Sequence, residues 1–183
     1  MFRTYIFSYF KDYNPIYEFG CGTAFNLVTL SEMYNKELHG LDWAVSSTRL
    51  INEINSTLKL DIHGHVFDMF NPPQLDIPDG SLVFTWGALE QLGTRFEPFL
   101  QFLLTKKMTV INIEPLEELY NEENPIDKMS IEYMNKRGYL KGYVKRLCEL
   151  QRHGQINLEK IQRLHFGNVN YEGWSYVIWN TNQ

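Results

Sequence analysis

Two glycines lie one residue apart in "IYEFGCGTAFN", the stretch from Ile16 to Asn26, where a hydrophobic run meets a helix-like segment. Glycine destabilises regular structure, so Gly20 and Gly22 indicate a turn whose backbone must leave room for another group. At such a strand-to-helix turn the main chain and its N–H groups can approach a ligand that a Cβ atom would push away. The acid Glu18 adds a carboxylate to the same turn. The stretch therefore predicts a ligand-binding loop, with a tight turn that binds nothing as the alternative.

A second acid follows at the end of the next predicted strand, "LHGLD". Asp42 lies 22 residues after Gly20, near the spacing of about 20 at which an acid accepts hydrogen bonds from ribose hydroxyls. Nicotinamide dinucleotides and S-adenosylmethionine are both bound in this layout. The dinucleotide pattern G-x-G-x-x-G needs a glycine where this chain has Phe25, whose bulk would crowd a pyrophosphate. The residues therefore disfavour a dinucleotide.

The segment "EFGCGTA" resembles the E/D-x-G-x-G-x-G motif of class I S-adenosylmethionine-dependent methyltransferases. Glu18 stands at the acid position of the motif, and Ala24 stands where the third glycine is usual. The resemblance implies an α/β fold, namely a three-layer αβα sandwich around a seven-stranded, mostly parallel sheet whose last strand is antiparallel. It also implies S-adenosyl-L-methionine as the cofactor, with its amino-acid tail against the loop.

Three later segments extend the resemblance. "GLDWA" is similar to the family's second-strand signature, which implies that Asp42 binds the ribose and Trp43 offers an apolar face to adenine. "HVFDMF" is similar to the third-strand segment, in which Asp68 would bind the adenine amino group and Met69 would cover the ring. "SLVFTWGALEQLG" resembles the fourth-strand signature, with Gln91 where a histidine is common. The cofactor-binding residues implied in this way are Glu18, Gly20, Cys21 (through its backbone), Gly22, Ala24, Asp42, Trp43, Asp68, Met69 and Trp86.

Three side chains are candidates for a catalytic base. The predicted acceptor is a hydroxyl oxygen of a small molecule or a glycan, and such a nucleophile reacts faster beside a histidine or a carboxylate. Glu114 ends the fifth predicted strand in "INIEP", and His165 lies near the end of the sixth in "RLHFG". Glu90 follows the fourth strand. For each of them, a polar residue at the rim without a chemical role is the alternative.

Two other functions stay open. Asn71-Pro72-Pro73 resembles the N/D-P-P-aromatic motif of amino-group methyltransferases, but Gln74 replaces the aromatic residue and the segment follows the third predicted strand, not the fourth. A catalytically inactive cofactor-binding or scaffold subunit of a methyltransferase complex is the second alternative. The basic stretch over residues 136–152 is interpreted as a solvated helix face, with a patch for an anionic substrate as the other interpretation.

Strands and helices must alternate to place these residues together, and the chain shows that alternation. Strands are predicted near residues 15–20, 36–42, 60–68, 80–86, 108–115, 155–167 and 173–180, the last two as an antiparallel pair. Helices are predicted near residues 24–34, 46–58 and 94–107, and over 124–152 with a break at Gly138. Residues 71–80 are rich in turn formers and are predicted to form a loop. In such a sheet ligands bind at the carboxyl ends of the strands, where the strand order reverses.

Length and composition set the remaining expectations. The chain has 183 residues, 44% of them hydrophobic, which predicts a single domain over residues 1–183 with a short N-terminal segment over residues 1–14. The formal charge of −5 argues against a nucleic-acid binder. Only two cysteines and no long apolar stretch predict a cytoplasmic protein without a membrane span. The histidines lack further ligands at metal-binding spacing, so no metal is expected. A second copy of the chain or a partner subunit is considered as the element that closes the acceptor site.

Overall fold

A seven-stranded sheet forms the centre of the molecule. The computed structural model describes residues 2–164 and 173–181. Every residue of β1 and β2 is buried, because helices cover both faces of the sheet and the strands are correspondingly rich in apolar residues. The strands are β1 (Ile16–Phe19), β2 (Leu38–Asp42), β3 (Ile62–Val66), β4 (Leu82–Trp86), β5 (Thr109–Glu114), β6 (Ile156–Arg163) and β7 (Ser175–Thr181).

The strand order is β3-β2-β1-β4-β5-β7-β6. Strands β1 to β5 pair in parallel, whereas β7 is antiparallel to both β5 and β6. The chain moves outward from β1 to β3 and then returns to β4 on the other side of β1, so the order reverses between β1 and β4. The carboxyl ends of these two strands therefore frame a crevice of the kind that binds ligands in open α/β sheets.

Six helices flank the sheet in the described part of the chain. Residues of α1, α2 and α3 enter the apolar core on one face, and residues of α4 and α6 enter the core on the other. The predicted fold class, an αβα sandwich with a mostly parallel seven-stranded sheet and an antiparallel last strand, is confirmed. The helices are α1 (Phe2–Phe7), α2 (Phe25–Met33), α3 (Val45–Leu58), α4 (Glu97–Leu104), α5 (Pro125–Arg137) and α6 (Tyr143–Arg152), with 3-10 turns at Ser8–Phe10, Leu89–Leu92 and Glu117–Leu119.

The N-terminal segment, for which no secondary structure was predicted, is helical. It contains α1 and a 3-10 turn, and Ile6, Phe7 and Phe10 are fully buried. The ring centroid of Phe10 lies 4.9 Å from that of Phe84 in β4. Since these apolar side chains are part of the core beneath the sheet, the segment is packed against the same strands that frame the crevice.

The connection between β3 and β4 contains no helix, as the turn-forming residues predict. The segment Asn71-Pro72-Pro73 lies in this connection, after β3 at the edge of the sheet. Two strands, β2 and β1, separate that edge from β4. The predicted order of strands is therefore confirmed, and the segment does not follow β4 as it does in the amino-group methyltransferases that it resembles.

Candidate functional site

Glycine is favoured at the two positions of the β1–α2 loop for different structural reasons. Gly20 has a φ of +73°, and a Cβ at this position would overlap the Cβ of Ala88 in the segment that follows β4. Gly22 has a φ of +51°, but a Cβ there would meet no atom of residues 2–164 or 173–181 within 4 Å. Gly20 therefore allows the two loops to touch at the point where the strand order reverses, whereas the space over Gly22 is open.

The N–H groups of the loop are used within the chain. Those of Gly20 and Cys21 donate to the carbonyl oxygen of Leu41, at 2.7 and 3.0 Å. The N–H of Gly22 donates to Oδ2 of Asp42 at 2.9 Å, and Oδ1 of Asp42 accepts from the N–H of Ala44 at 2.9 Å. These three N–H groups already have acceptors within the chain, so the loop provides a ligand mainly with open space. This refines the expectation that unpaired backbone N–H groups of the loop would face the ligand.

Two further residues of the loop, Ala24 and Cys21, were predicted to bind the cofactor through the backbone of the glycine motif. Ala24 has a left-handed backbone with a φ of 59°, a conformation that favours the glycine usual at this position of the motif. Cys21 is buried, and burial raises the pKa of its thiol, a change that the negative charges of Glu18 and Asp42 increase. A buried neutral thiol is unreactive, which agrees with the prediction that Cys21 contributes only its backbone.

Glu18 lies beneath the loop with one of its oxygens unused. It is 1% exposed, and Oε1 accepts from Nδ2 of Asn26 at 2.7 Å. Oε2 is buried and has no hydrogen-bond partner in the described part of the chain. Burial raises the pKa of the carboxyl to about 8, against the lowering effects of the Asn26 hydrogen bond and the Arg3 charge, and the charge of Asp42 raises it further. A ligand that donates to Oε2 would satisfy this atom.

Exposed apolar side chains cluster along one end of the sheet. Eight large apolar side chains are exposed in the described part of the chain, and four of them lie at or within six residues of the carboxyl ends of β1, β2 and β3. Trp43, directly after β2, is 78% exposed. Exposed apolar groups concentrated at one site are typical of a surface that a ligand or partner covers. The other three are Phe25, Val45 and Val66.

Asp68 and Met69 follow β3 at this same end. Oδ1 of Asp68 accepts from the N–H of Phe70 at 2.8 Å, and Oδ2 accepts from the side-chain amide of Asn71 at 3.1 Å. These hydrogen bonds lower the pKa of Asp68. The Cε of Met69 lies 3.7 Å from the position that a Cβ on Gly20 would occupy. Met69 is therefore beside the glycine loop, while Asn71 is engaged in a local turn.

Trp86 ends β4 in contact with the N-terminal helix. Its ring centroid lies 5.2 Å from that of Phe2 and 6.3 Å from that of Trp174. The guanidinium carbon of Arg3 lies 5.2 Å from the Trp86 ring and 4.7 Å from the Phe25 ring. The Nε of Arg3 donates to Oδ1 of Asn26 at 3.0 Å. Trp86 thus belongs to an aromatic wall between β4 and α1, and its predicted contact with the cofactor stays a prediction.

Glu114 is fully buried and surrounded by hydrogen-bond donors. Its carboxylate accepts from the N–H groups of Ala88, Leu89 and Glu90, at 3.3, 3.1 and 3.1 Å. Burial raises the pKa of Glu114 to about 7, against the lowering effect of these hydrogen bonds. Glu114 is 0% exposed and three backbone N–H groups donate to it, so these contacts indicate that Glu114 holds the 3-10 turn after β4.

Glu90 lies in that turn and is 4% exposed. Its Oε2 is buried without a hydrogen-bond partner in the described residues. Burial raises its pKa to about 8, the charge of Glu114 raises it further, and the charge of Arg137 opposes the change. At neutral pH Glu90 is mostly protonated, and a protonated carboxyl is not a general base. The roles predicted for Glu90 and Glu114 as bases stay predictions.

The remaining predicted features are placed as follows. His165 lies outside the described residues. Within residues 2–164 and 173–181, no three side chains of the metal-ligating types are grouped so that they could hold a metal ion. No helix in these ranges has the length and apolar character needed to cross a membrane.

In the basic stretch over residues 136–152, two of the cations form ion pairs. Arg146 pairs with Glu97 at 2.9 Å and Lys141 pairs with Glu117 at 3.1 Å.

Arg3 and Asn26 are the site residues that the sequence analysis missed. Apolar residues at positions 2, 6 and 10 are spaced four apart, which is a helical signal in the first ten residues. That spacing predicts α1. It does not predict that α1 packs beside the glycine loop, because this contact depends on the tertiary fold.

Comparisons with known proteins bear on the fold. No protein-family model matches the sequence, and no curated protein matches it. Among solved structures, the chain is similar to magnesium protoporphyrin IX methyltransferase (ChlM) from Synechocystis PCC 6803 with bound SAH, with a TM-score of 0.68 and 9% identity over 99% of this chain and 80% of that one. It is also similar to a SAM-dependent methyltransferase from Aquifex aeolicus, with a TM-score of 0.63 and 14% identity over 97% and 88% of the two chains.

A third similar structure is that of LepI in complex with SAM, with a TM-score of 0.60 and 13% identity. The match covers 93% of this chain but only 43% of LepI, so the chain spans less than half of that protein. At such low identities the likeness concerns the fold. The chain has the fold of the class I S-adenosylmethionine-dependent methyltransferases.

Proposed function

We propose that this protein is an S-adenosylmethionine-dependent methyltransferase that binds the cofactor over the β1–α2 loop. The observation that carries the proposal is that the segment from Glu18 to Gly22 combines open space above Gly22 with a buried carboxyl oxygen of Glu18 that lacks a partner in the described residues. A turn that served only the fold would have no need to leave both features unfilled. The fold supports the proposal because the similar structures with bound SAM or SAH share it.

The residues present fit an adenosyl sulfonium. Oε2 of Glu18, which has no partner in the described part of the chain, would accept from the α-ammonium group of the amino-acid tail, and Gly22 would leave space for the tail. Each oxygen of Asp42 accepts one backbone hydrogen bond and can accept another from a ribose hydroxyl. Trp43 is almost fully exposed and offers a flat apolar face to adenine. Met69, beside Gly20, would cover the ring from the other side.

When bound, S-adenosylmethionine supplies an activated methyl group, so the protein has mainly to align the acceptor and exclude water. We propose a hydroxyl oxygen of a small molecule or a glycan as the acceptor. The aromatic wall of Phe2, Trp86 and Trp174 would form one side of its pocket. Glu114 would act by holding the turn after β4, and His165 remains the candidate base. We propose further that residues 1–183 act as one domain, since α1 shares its apolar core with α2 and α3.

A catalytically inactive cofactor-binding subunit is the second candidate. The observation that favours it is the state of the two carboxyl groups near the end of β4. Glu114 accepts hydrogen bonds from three backbone N–H groups, and burial keeps Glu90 largely protonated. Such a subunit would bind S-adenosylmethionine without transferring its methyl group, so turnover assays with hydroxyl acceptors distinguish it from the first proposal.

Calorimetric titration of the wild-type chain with S-adenosylhomocysteine, S-adenosylmethionine and NAD tests the cofactor. We expect the first two to bind and NAD not to bind; binding of NAD alone would contradict the proposal. Trp43→Ala should weaken S-adenosylhomocysteine about tenfold, the loss expected for one aromatic contact. Because Trp43 is 78% exposed, the free energy of unfolding should stay unchanged. Leu58→Ala, at an exposed position at the end of α3, is the matched control and should change neither quantity.

A further inference from the structure

A lysine of the edge strand β6 lies on the face of the sheet that α1 covers. The pairing of β6 with β7 shifts between Leu158 and Lys160, so that Glu159 is an extra residue. A β-bulge of this kind re-aims the side chains next to it. Leu158 packs against the core on the face of α4 and α6, whereas Lys160 is opposite Ile178, which belongs to the core shared with α1. The bulge therefore places the ammonium group of Lys160 under the N-terminal segment.

Three tyrosine hydroxyls are linked to this ammonium group. Nζ of Lys160 donates to the hydroxyl of Tyr9 at 3.0 Å and to that of Tyr5 at 3.5 Å. The hydroxyl of Tyr5 lies 3.0 Å from those of Tyr9 and Tyr176. Tyr176 in turn donates to the side-chain oxygen of Gln162 at 2.8 Å. Because each hydroxyl has one proton, the donors run in one direction away from Lys160, and the tyrosines accept from the cation without carrying a negative charge.

The described residues do not supply an acid to pair with Lys160. No carboxylate of residues 2–164 or 173–181 lies within ion-pair distance of its Nζ. The contact with Tyr5, at 3.5 Å, is at the outer limit of a hydrogen bond. This N–H is therefore available to a stronger acceptor. A carboxylate is such an acceptor, since a hydrogen bond between two charged groups is roughly twice as strong as one between neutral groups.

A hollow of about 180 Å³ opens beside the ammonium group. Ile111 of β5 and Ile178 of β7, both buried, line its inner side. The side chains of Tyr9 and Tyr13 line the side formed by the N-terminal segment. A cavity of roughly 150 Å³ is sufficient to bind benzene. The hollow therefore has room for one six-membered ring, with Lys160 at its border to pair with a charged group of the ligand.

The acid that lines the hollow limits the charge of a ligand. This residue is Glu159, whose Oε1 accepts from Nδ2 of Asn180 at 2.6 Å. The charges of Glu159 and Lys160 sum to zero, so a ligand with two negative charges gains little net attraction. A phosphate monoester carries about −1.5 to −2 charges at pH 7. The charges at the hollow therefore favour a ligand with a single carboxylate.

We propose that this hollow binds a small monocarboxylate whose apolar body is a single ring. The carboxylate pairs with Nζ of Lys160, and the ring lies over Ile111 and Ile178 beside the two tyrosines of the N-terminal segment. The site is separate from the crevice, because it lies on a face of the sheet and uses none of the residues proposed to bind S-adenosylmethionine. A ligand there contacts both the 3-10 turn after α1 and β6, so it would hold the N-terminal segment against the sheet.

Ionisation of Tyr9 should weaken this site at alkaline pH. Burial opposes the ionisation, but hydrogen bonds with Tyr5, Lys160 and Tyr176 outweigh it and lower the pKa of Tyr9 to about 8. Burial raises the pKa of Tyr176, and hydrogen bonds to Tyr176 and Tyr9 raise that of Lys160, so these two groups keep their protons. A phenolate at Tyr9 would neutralise Lys160, and the affinity should fall roughly tenfold between pH 7 and pH 9. The titratable groups around this hydroxyl and its hollow in the described part of the chain are Tyr5, Tyr13, Glu159, Lys160 and Tyr176.

Titration of the wild-type chain with benzoate at pH 7, followed by backbone NMR, tests the proposal. We expect saturable shifts of the amide signals of Ile111, Lys160 and Ile178, and no shifts at Gly20 and Gly22 of the glycine loop. Benzyl alcohol has the same ring without a charge and should bind roughly tenfold more weakly, the loss of one charge-assisted hydrogen bond. Phenyl phosphate, with about two negative charges, should also bind more weakly than benzoate.

Two variants assign the binding to these side chains. Lys160→Met keeps most of the length of the side chain and removes the charge, so it should weaken benzoate at least roughly tenfold and leave benzyl alcohol unchanged. Lys145→Met makes the same change at an exposed position of α6, on the opposite face of the sheet, and should affect neither ligand. Tyr9→Phe should bind benzoate at pH 7 and lose the fall in affinity between pH 7 and pH 9.

Several results would overturn the proposal. Absence of benzoate binding, or shifts confined to the glycine loop, would exclude the site, and equal affinities of wild type and Lys160→Met would show that the cation is not used. Tighter binding of phenyl phosphate would contradict the choice of a monocarboxylate. If Lys160→Met does not fold, the comparison with benzyl alcohol and the pH dependence of Tyr9→Phe decide. These titrations contain no S-adenosylmethionine, so their failure leaves the proposed function intact, and failure of S-adenosylhomocysteine to bind leaves this site intact.

Discussion

Replacement of Glu90 by glutamine should make the protein more stable at alkaline pH and leave its stability at acidic pH nearly unchanged. Glu90 is 4% exposed, and one of its oxygens has no partner in the described residues. Burial and the neighbouring Glu114 raise its pKa from 4.5 to about 8. Each unit of pKa difference between the folded and unfolded states corresponds to about 1.4 kcal/mol. A shift of this size sets an upper bound of about 5 kcal/mol, and we expect a measured effect of about 2 to 5 kcal/mol because buried carboxylates relax and attract water.

The sign follows from which state holds the proton. Between pH 4.5 and about pH 8 the unfolded chain has lost the Glu90 proton and the folded chain retains it. The folded state then binds more protons than the unfolded state, so the free energy of unfolding falls as the pH rises through this window. Below pH 4.5 both states are protonated and the contribution is fully present. Glutamine is neutral at every pH, so the variant lacks this decline.

Urea unfolding at several pH values from 4 to 9, followed by tryptophan fluorescence, measures the effect. The informative quantity is how the difference in free energy of unfolding between wild type and Glu90→Gln changes with pH, because any cost of packing the amide is independent of pH. Glu53→Gln, at an exposed position on α3, is the control and should run parallel to the wild type. Parallel curves for wild type and Glu90→Gln would refute the argument that Glu90 is folded in its neutral form.

Two further predictions concern the loop and the core. Gly20→Ala should destabilise the protein by more than 2 kcal/mol, roughly the range for overpacking a tight site, because the new Cβ would overlap that of Ala88. Gly22→Ala should cost about 1 kcal/mol of backbone strain, because no atom of the described residues lies within 4 Å of its Cβ. This second variant should nevertheless reduce the affinity for the cofactor. Thermal unfolding and calorimetric titration of the two variants distinguish these effects, and equal stability losses would contradict the assigned reasons. Tyr143→Phe removes a buried hydrogen bond of 2.8 Å to Oδ1 of Asn112, which keeps a second hydrogen bond from Nε1 of Trp179 at 3.1 Å. The free energy of unfolding measured with urea should therefore fall by about 0.5 to 1.5 kcal/mol, the net value of one hydrogen bond; an unchanged value would show that the bond from Trp179 is sufficient for Asn112.

The sequence predicted the sheet well because its signals are local. Parallel strands buried on both faces are rich in apolar residues, and the apolar runs of β4 and β5 became strands within a few residues of their predicted bounds. The break at Gly138 was visible because a left-handed residue ends a helix, and its φ is +66° at the end of α5. Asp42 was recognised as the acid at the end of β2 from its spacing of 22 residues after Gly20.

The roles of the acids at the rim could not be predicted in the same way. Glu114 ends β5, and from that position alone it could face a substrate. Its donors come from residues 88–90, 24 to 26 positions earlier in the chain. The hydrogen bond from Arg3 to Asn26 likewise spans 23 positions. Local pattern carries no information about such pairings, because they depend on which loops meet after the sheet has formed.

Four of the acids near the carboxyl end of the sheet divide by how their oxygens are used. Both oxygens of Asp42 and of Glu114 accept backbone hydrogen bonds, and these bonds hold the two loops that meet at the crevice. Glu18 and Glu90 each keep one buried oxygen without a partner in the described residues. An unsatisfied buried polar group costs about 1 to 3 kcal/mol, a cost that a structural turn could avoid with an apolar side chain. Unsatisfied acids held between well-ordered loops are instead the arrangement expected where a ligand completes the hydrogen bonding. The unsatisfied oxygens of Glu18 and Glu90 lower the stability of the unliganded protein, and for the same reason they support a binding site at this crevice.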